Sequence, residues 1–236
     1  LVFQEPSAFT QAKAQPFPPH FHVYCSTITE GVAPDNFYPP LPRSSPSVIK
    51  FTDNFQPPDL HAFHDAVCVP YGKVELKGST PHKDCDISFL TELTEVTLTR
   101  ATAASLTLPT SVVSLELDDT SINTVSGTDS LTFLSVKNGA NTIAPCPQLQ
   151  VFRWKGQTIR PENLPVCDFA RLQMALTVET VDRSFHFPPA LTSLALEVRR
   201  EPFDTDRLLT LTRLETCSLF GKTKEGINLS CLTAVT

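Results

Sequence analysis

The chain has 236 residues, 41% hydrophobic and 19% charged, with a net charge of −6 and a pI near 5.5. This apolar content suffices for a core, and the acidic balance argues against nucleic acid, whose binding rests on cationic contacts with phosphate. No apolar run approaches the roughly 20 residues that span a bilayer, so no transmembrane segment is expected in this stretch.

Residues 1 to 70 are dense in proline and phenylalanine, with Pro16, Pro18, Pro19, Pro39, Pro40, Pro42, Pro46, Pro57 and Pro58 among the breaks. Proline removes a backbone donor and fixes φ, which disfavours long helices and central strands. Aromatic residues such as Phe21, Tyr24, Phe37 and Phe51 are too frequent for a disordered tail. An irregular N-terminal cap is therefore expected over 1–70. Asp59 to Val67 is its best helix candidate, with Asp59 as N-cap. The run Phe37 to Arg43 could serve as a polyproline II ligand or as a rigid connector; the connector is preferred.

From residue 71 to 236 the texture changes to alternating Leu, Val and Thr. Lys73 to Lys77 predicts a first, degenerate strand. A phrase then recurs: Leu93-x-x-Val96-x-Leu98, Val112-x-x-Leu115-x-Leu117, Leu131-x-x-Leu134-x-Val136 and Leu149-x-x-Phe152-x-Trp154. It returns at Leu191-x-x-Leu194-x-Leu196 and Leu214-x-x-Cys217-x-Leu219, and restarts at Leu232-x-x-Val235. Starts are spaced roughly 18 to 24 residues apart, a period that means a stacked solenoid of about eight short repeats, the last one cut. Between Leu149 and Leu191 the phrase aligns as Gln173-x-x-Leu176-x-Val178. The later apolar residues of each unit, Leu106 and Leu108, Ile122 and Val125, Ile159 and Leu164, are expected to point inward from the far wall. Prolines 109, 145, 147, 165, 188 and 189 fall shortly before strands and steer the chain back to the sheet. The chain opens on Leu1 and stops inside a fresh repeat, so a fragment of a larger protein is expected.

The phrase resembles the leucine-rich-repeat family. Leu108-Pro109-Thr110-Ser111-Val112-Val113-Ser114-Leu115 and Phe187-Pro188-Pro189-Ala190-Leu191-Thr192-Ser193-Leu194 are similar to the irregular repeats of BspA-type bacterial and protist proteins. The resemblance implies a curved parallel β-sheet on the concave side and extended or 3₁₀ segments on the convex side. It also implies a non-enzymatic protein–protein interaction module, with another protein as partner. One departure is specific. Where the family places Asn or Cys, three positions after the last strand leucine, this chain has Ala101, Thr120, Gly139, Gln157, Arg199 and Lys222. The turns must then satisfy their backbone groups through Thr hydroxyls or water.

On a repeat strand the residues between core positions face outward, and equivalent positions on adjacent turns stack about 4.8 Å apart. Stacking sets acidic Glu116, Asp118 and Asp119 beside basic Lys137, Arg153 and Lys155. Phe133, Val151 and Phe220 are apolar at outward positions. A bipolar patch with apolar residues in it suits a protein-binding site. The alternative is that neighbouring charges pair with one another and solvate a plain sheet face.

Candidate chemistry is sparse. His61, His64 and Cys68, followed by His82 and Cys85, are a candidate metal set, though their spacing fits no zinc-finger pattern and an irregular cap would use the same residues. Cys146 and Cys167 precede consecutive strands and are a candidate disulfide; Asn228 heads a candidate glycosylation triplet. His186 reads as structural and Cys217 as a small core residue. No phosphate loop or nucleophile motif is present, so no catalytic residue and no cofactor is expected. Two other functions remain: the targeting arm of a larger enzyme, and a cell-surface adhesin or antigen. An intracellular location is favoured over the cell surface.

Overall fold

The computed structural model describes residues 2–3, 22–25, 48–52, 73–77 and 81–223, with side chains over 84–139 and 141–221. Residues 81–223 wind into a parallel β-solenoid of about seven turns with almost no helix. The long sheet has eleven strands. In spatial order they are β1 (Val2–Phe3), β2 (His22–Cys25), β3 (Val48–Thr52), β4 (Lys73–Lys77), β6 (Glu95–Thr99), β8 (Ser114–Asp118), β10 (Phe133–Lys137), β12 (Val151–Ile159), β13 (Gln173–Val181), β14 (Ser193–Phe203) and β15 (Thr216–Thr223). A second, four-stranded parallel sheet holds β5 (Pro81–Asp86), β7 (Thr102–Thr107), β9 (Ser121–Ser126) and β11 (Ala140–Ile143). Part of the far wall is thus a sheet of its own. Three 3₁₀ turns, Pro161–Asn163, Phe169–Arg171 and Thr205–Leu208, complete it elsewhere.

Strands β1 to β3 lie in the segment expected to form an irregular cap. They pair in parallel with one another and with β4, so the long sheet already runs at Val2. Val2–Phe3, His22–Cys25 and Val48–Thr52 contain no proline, so these strands keep their ladder donors. The helix candidate at 59–67, the proline run at 37–43, the metal candidates His61, His64 and Cys68, and Asn228 lie outside the described residues.

The recurring phrase has a mechanical meaning. Its first apolar residue closes a tight turn with the residue three before it. Leu93 N–H donates to Leu90 O at 2.9 Å, Val112 to Pro109 O at 3.1 Å, Leu131 to Thr128 O at 3.1 Å, Leu149 to Cys146 O at 3.1 Å and Leu191 to Pro188 O at 3.0 Å. The next two apolar residues enter the sheet pointing inward. Leu115 and Leu117 stack between Val96 and Leu98 on one side and Leu134 and Val136 on the other. All of these are buried, and each buried aliphatic side chain contributes about 1.5–3 kcal/mol.

One unit breaks the spacing. Leu172 closes its turn on Phe169 O, but Met174 enters the sheet only two residues later, stacked on Phe152, with Leu176 on Trp154. The alignment Gln173-x-x-Leu176-x-Val178 is therefore corrected by two residues. A shift of two keeps side chains on the same faces, so the buried set is unchanged while the outward columns move. Ala175, not Thr177, stands opposite Arg153.

The corner between the two sheets is made by residues with positive φ at one fixed repeat position: Arg100 (55°), Asp119 (53°) and Asn138 (49°). Each follows the second inward strand residue by two. The ladder continues through the corner, since Arg100 N–H donates to Asp118 O, Asp119 to Lys137 O and Asn138 to Lys155 O at 2.7–2.8 Å. A left-handed residue costs about 1–2 kcal/mol when it is not glycine, and Asn and Asp bear it best. The later turns carry Gly156, Val178, Val198 and Gly221 at this position, and Val178 and Val198 are buried and β-branched. Such residues resist positive φ. There the chain runs straight on, giving strands of 9 and 11 residues, and among the described residues the second sheet ends at β11.

Side-chain hydroxyls also tie the turns that precede the strands to their neighbours. Ser111 Oγ donates to Leu93 O at 2.7 Å and Thr128 Oγ1 to Pro145 O at 2.8 Å, each reaching an adjacent turn. One asparagine rung does exist. Asn141 Oδ1 accepts from Ile122 N–H at 3.0 Å and from Thr120 Oγ1 at 3.2 Å inside the wall.

Candidate protein-binding face

Alternation leaves one face of the long sheet free of its own core. Across β6, β8, β10 and β12 its outward columns read Glu95, Ser114, Phe133, Val151; then Thr97, Glu116, Ser135, Arg153; then Thr99, Asp118, Lys137, Lys155. Seven of the eight expected partner-binding residues, all but Phe220, fall on the three adjacent strands β8, β10 and β12. Phe220 is on β15, three strand spacings from β12, or about 14 Å. It is 66% exposed and stands apart from the patch.

Within the patch, charge and apolar surface are locally arranged. Lys137 Nζ meets Asp118 Oδ2 at 2.7 Å, and this hydrogen bond above all raises the lysine pKa. The Arg153 guanidinium lies 5.2 Å from the centroid of the half-buried Phe133 ring, a cation–π geometry. Val151 is half-buried in register beside Phe133. Glu116, Arg153 and Lys155 are exposed. So the two readings of the charges divide by residue: Asp118 and Lys137 pair internally, whereas Arg153 lies over an aromatic ring and stays exposed.

A polar track beyond β12 escaped the sequence reading. Corrected register puts Thr177 beside Lys155, and Thr177 Oγ1 donates to Glu197 Oε2 at 3.4 Å. Glu197 also takes Arg199 Nε at 2.9 Å, the main cause of its lowered pKa, with Lys155 adding to it electrostatically. Arg200 pairs with Glu179 at 3.1 Å. The two-residue slip in β13 concealed this continuity.

The remaining candidates resolve as follows. Cys85 is a core residue facing Leu106, and burial pushes its thiol up to about 11, with Asp86 adding to the shift. His82 lies on β5, while the positions of His61, His64 and Cys68 are outside the described residues. Cys146 and Cys167 are both free thiols. Cys217 is half-buried on the inward side of β15. His186 is exposed between buried Phe185 and Phe187. It lines a groove of 530 Å³ together with Arg183, Glu201, Asp204 and Arg207. Arg207 is engaged there, donating to Val181 O at 3.4 Å, Asp182 O at 2.6 Å and Phe185 O, so it serves the backbone of that turn.

No helix among the described residues is long and apolar enough to cross a membrane. No protein-family model and no curated protein matches the chain.

Proposed function

We propose that this chain is a leucine-rich-repeat-like, non-enzymatic module that holds a protein partner on the outward face of its long sheet, centred on β8, β10 and β12. The repeat phrase supports the family reading, because the phrases at Leu93, Val112, Leu131, Leu149 and Leu191 each close a turn and seat two core residues. The single observation that carries the binding reading is Arg153 lying 5.2 Å from the Phe133 ring beside Val151. This gives an open sheet face a flat cationic and aromatic centre. Arg and aromatic residues are the types enriched where protein interfaces concentrate their energy. Acidic Glu116 and basic Lys155 flank that centre, so a partner of matching charge order gains both affinity and orientation.

The test is charge reversal at Arg153→Glu with Lys155→Glu, in the full-length protein, with partners captured from cell extract. Captured partner is expected to fall at least tenfold. Both side chains are exposed, so the thermal midpoint should stay within a few degrees of wild type. Undiminished capture by the doubly reversed protein would remove this face from the account.

A further inference from the structure

We propose that Cys146 and Cys167 are a thiol pair that closes into a disulfide staple between consecutive turns by exchange with a small disulfide such as oxidised glutathione. The register is fixed by the backbone. Cys146 N–H donates to Val166 O at 2.8 Å. In this solenoid an N–H reaches the carbonyl preceding its opposite number, as Phe133 N–H does to Val113 O while Phe133 faces Ser114. The same offset sets Cys146 against Cys167 on the next turn, close enough for the two thiols to act on each other electrostatically. Directly opposed residues of a parallel ladder lie about 4.8 Å apart, inside the 4.4–6.8 Å span of Cα separations that a disulfide accepts.

Both side chains address the core side of the wall. Cys146 is fully buried, and Cys167 is half-buried and packed against the core cluster. Among the described residues neither Cys85 nor Cys217 has a cysteine opposite it; Cys85 faces Leu106, and Cys217 faces Leu194. The pair is thus specific by position.

The exchange proceeds in two displacements. Cys167, the more accessible of the two, loses its proton, and its thiolate attacks one glutathione sulfur. The glutathione S–S bond breaks and the first glutathione leaves as a thiolate, which takes up a proton. The Cys146 thiolate then attacks Cys167 Sγ, forming the protein disulfide and expelling the second glutathione. Two protein thiols are oxidised and one glutathione disulfide is reduced to two thiols. Burial pushes the Cys167 thiol up to about 12, with Cys146 and Asp168 adding to the shift, and burial raises Cys146 as well. The thiolate fraction is therefore small, and the staple closes slowly at neutral pH. The closed loop contains β12, the strand that carries Arg153 and Lys155.

The full chain is incubated with oxidised glutathione, blocked with a thiol alkylator, digested and mapped by mass spectrometry. The expected product is a Cys146–Cys167 peptide pair, with a thermal midpoint raised by about 5 °C and restored to its starting value by dithiothreitol. Cys146→Ala, or Cys146→Ser should the alanine variant fail to fold, is expected to accumulate a glutathione adduct on Cys167. Wild-type protein that retains an unresolved adduct on Cys167, joins Cys167 to a different cysteine, or leaves both thiols unreacted would overturn the proposal.

Discussion

Replacing Leu134 with Asp is expected to abolish the cooperative thermal transition of this chain. Leu134 is wholly buried at the inward centre of β10, stacked between Leu115 and Phe152. The substitution removes about 2–3 kcal/mol of apolar burial and places a carboxylate where no cation or donor faces it. A buried charge without a partner costs several kcal/mol more, against a total stability of about 5–15 kcal/mol for an ordinary domain. Solenoid stability is a chain of nearest-neighbour terms, so damage at β10 uncouples the turns on either side. Circular dichroism against temperature checks this, with Leu134→Met as the control. Volume-conserving swaps cost less than about 1.5 kcal/mol and should leave a sharp melt. A Leu134→Asp protein that melts within a few degrees of wild type would mean that this position is not in a dry core.

Gly127→Ala has the second-largest expected effect, and for a different reason. Gly127 follows β9 with φ +76°, and a Cβ there would sit 2.1 Å from Leu108 O on the neighbouring turn. That oxygen belongs to backbone, and Leu108 N–H already bonds Ser126 O at 3.0 Å, so it cannot step aside without breaking the ladder. Left-handed strain of about 1–2 kcal/mol adds to the clash, for a total loss of about 3–5 kcal/mol by chemical denaturation. Gly156→Ala makes the comparison sharp. Its new Cβ would meet Trp154 Nε1 at 3.3 Å, a side-chain atom, within a regular strand. That change is expected to cost less than about 1 kcal/mol. Equal losses at the two glycines would contradict the close stacking of β9 on the turn before it.

The winding was legible because its cause is local: leucines at fixed spacing, each closing a turn and then filling the core. Where that spacing shortened, at Leu172 and Met174, reading by phrase slipped two residues. Nothing in the alternation alone could correct it, since faces are conserved under an even shift. The second sheet was hidden for a similar reason. In β7 and β9 the buried apolar residues are Ala103 and Leu106, then Ile122 and Val125, three apart instead of two. Leu106, Ile122 and Val125 were expected inward, on extended or 3₁₀ segments and not in a second sheet. The corners carried a usable signal at Asp119 and Asn138, residue types tolerant of positive φ, which Arg100 obscured. For the candidate site, the register sets Glu116, Asp118, Lys137, Arg153 and Lys155 on one face, while Asp119 falls at the corner after β8. Two things needed coordinates: that Lys137 is paired with Asp118, and that Arg153 leans over Phe133.

Cross-strand amide NOEs in the isotope-labelled chain test the winding on which the binding face depends. Parallel stacking predicts connections from Ser114 to Phe133 and from Asp118 to Lys137, repeated one turn on between Phe133 and Val151 and between Lys137 and Lys155. Connections from Ser114 to Lys137 and from Asp118 to Phe133 would mean antiparallel hairpins, and the surface joining Glu116, Phe133 and Arg153 would not exist.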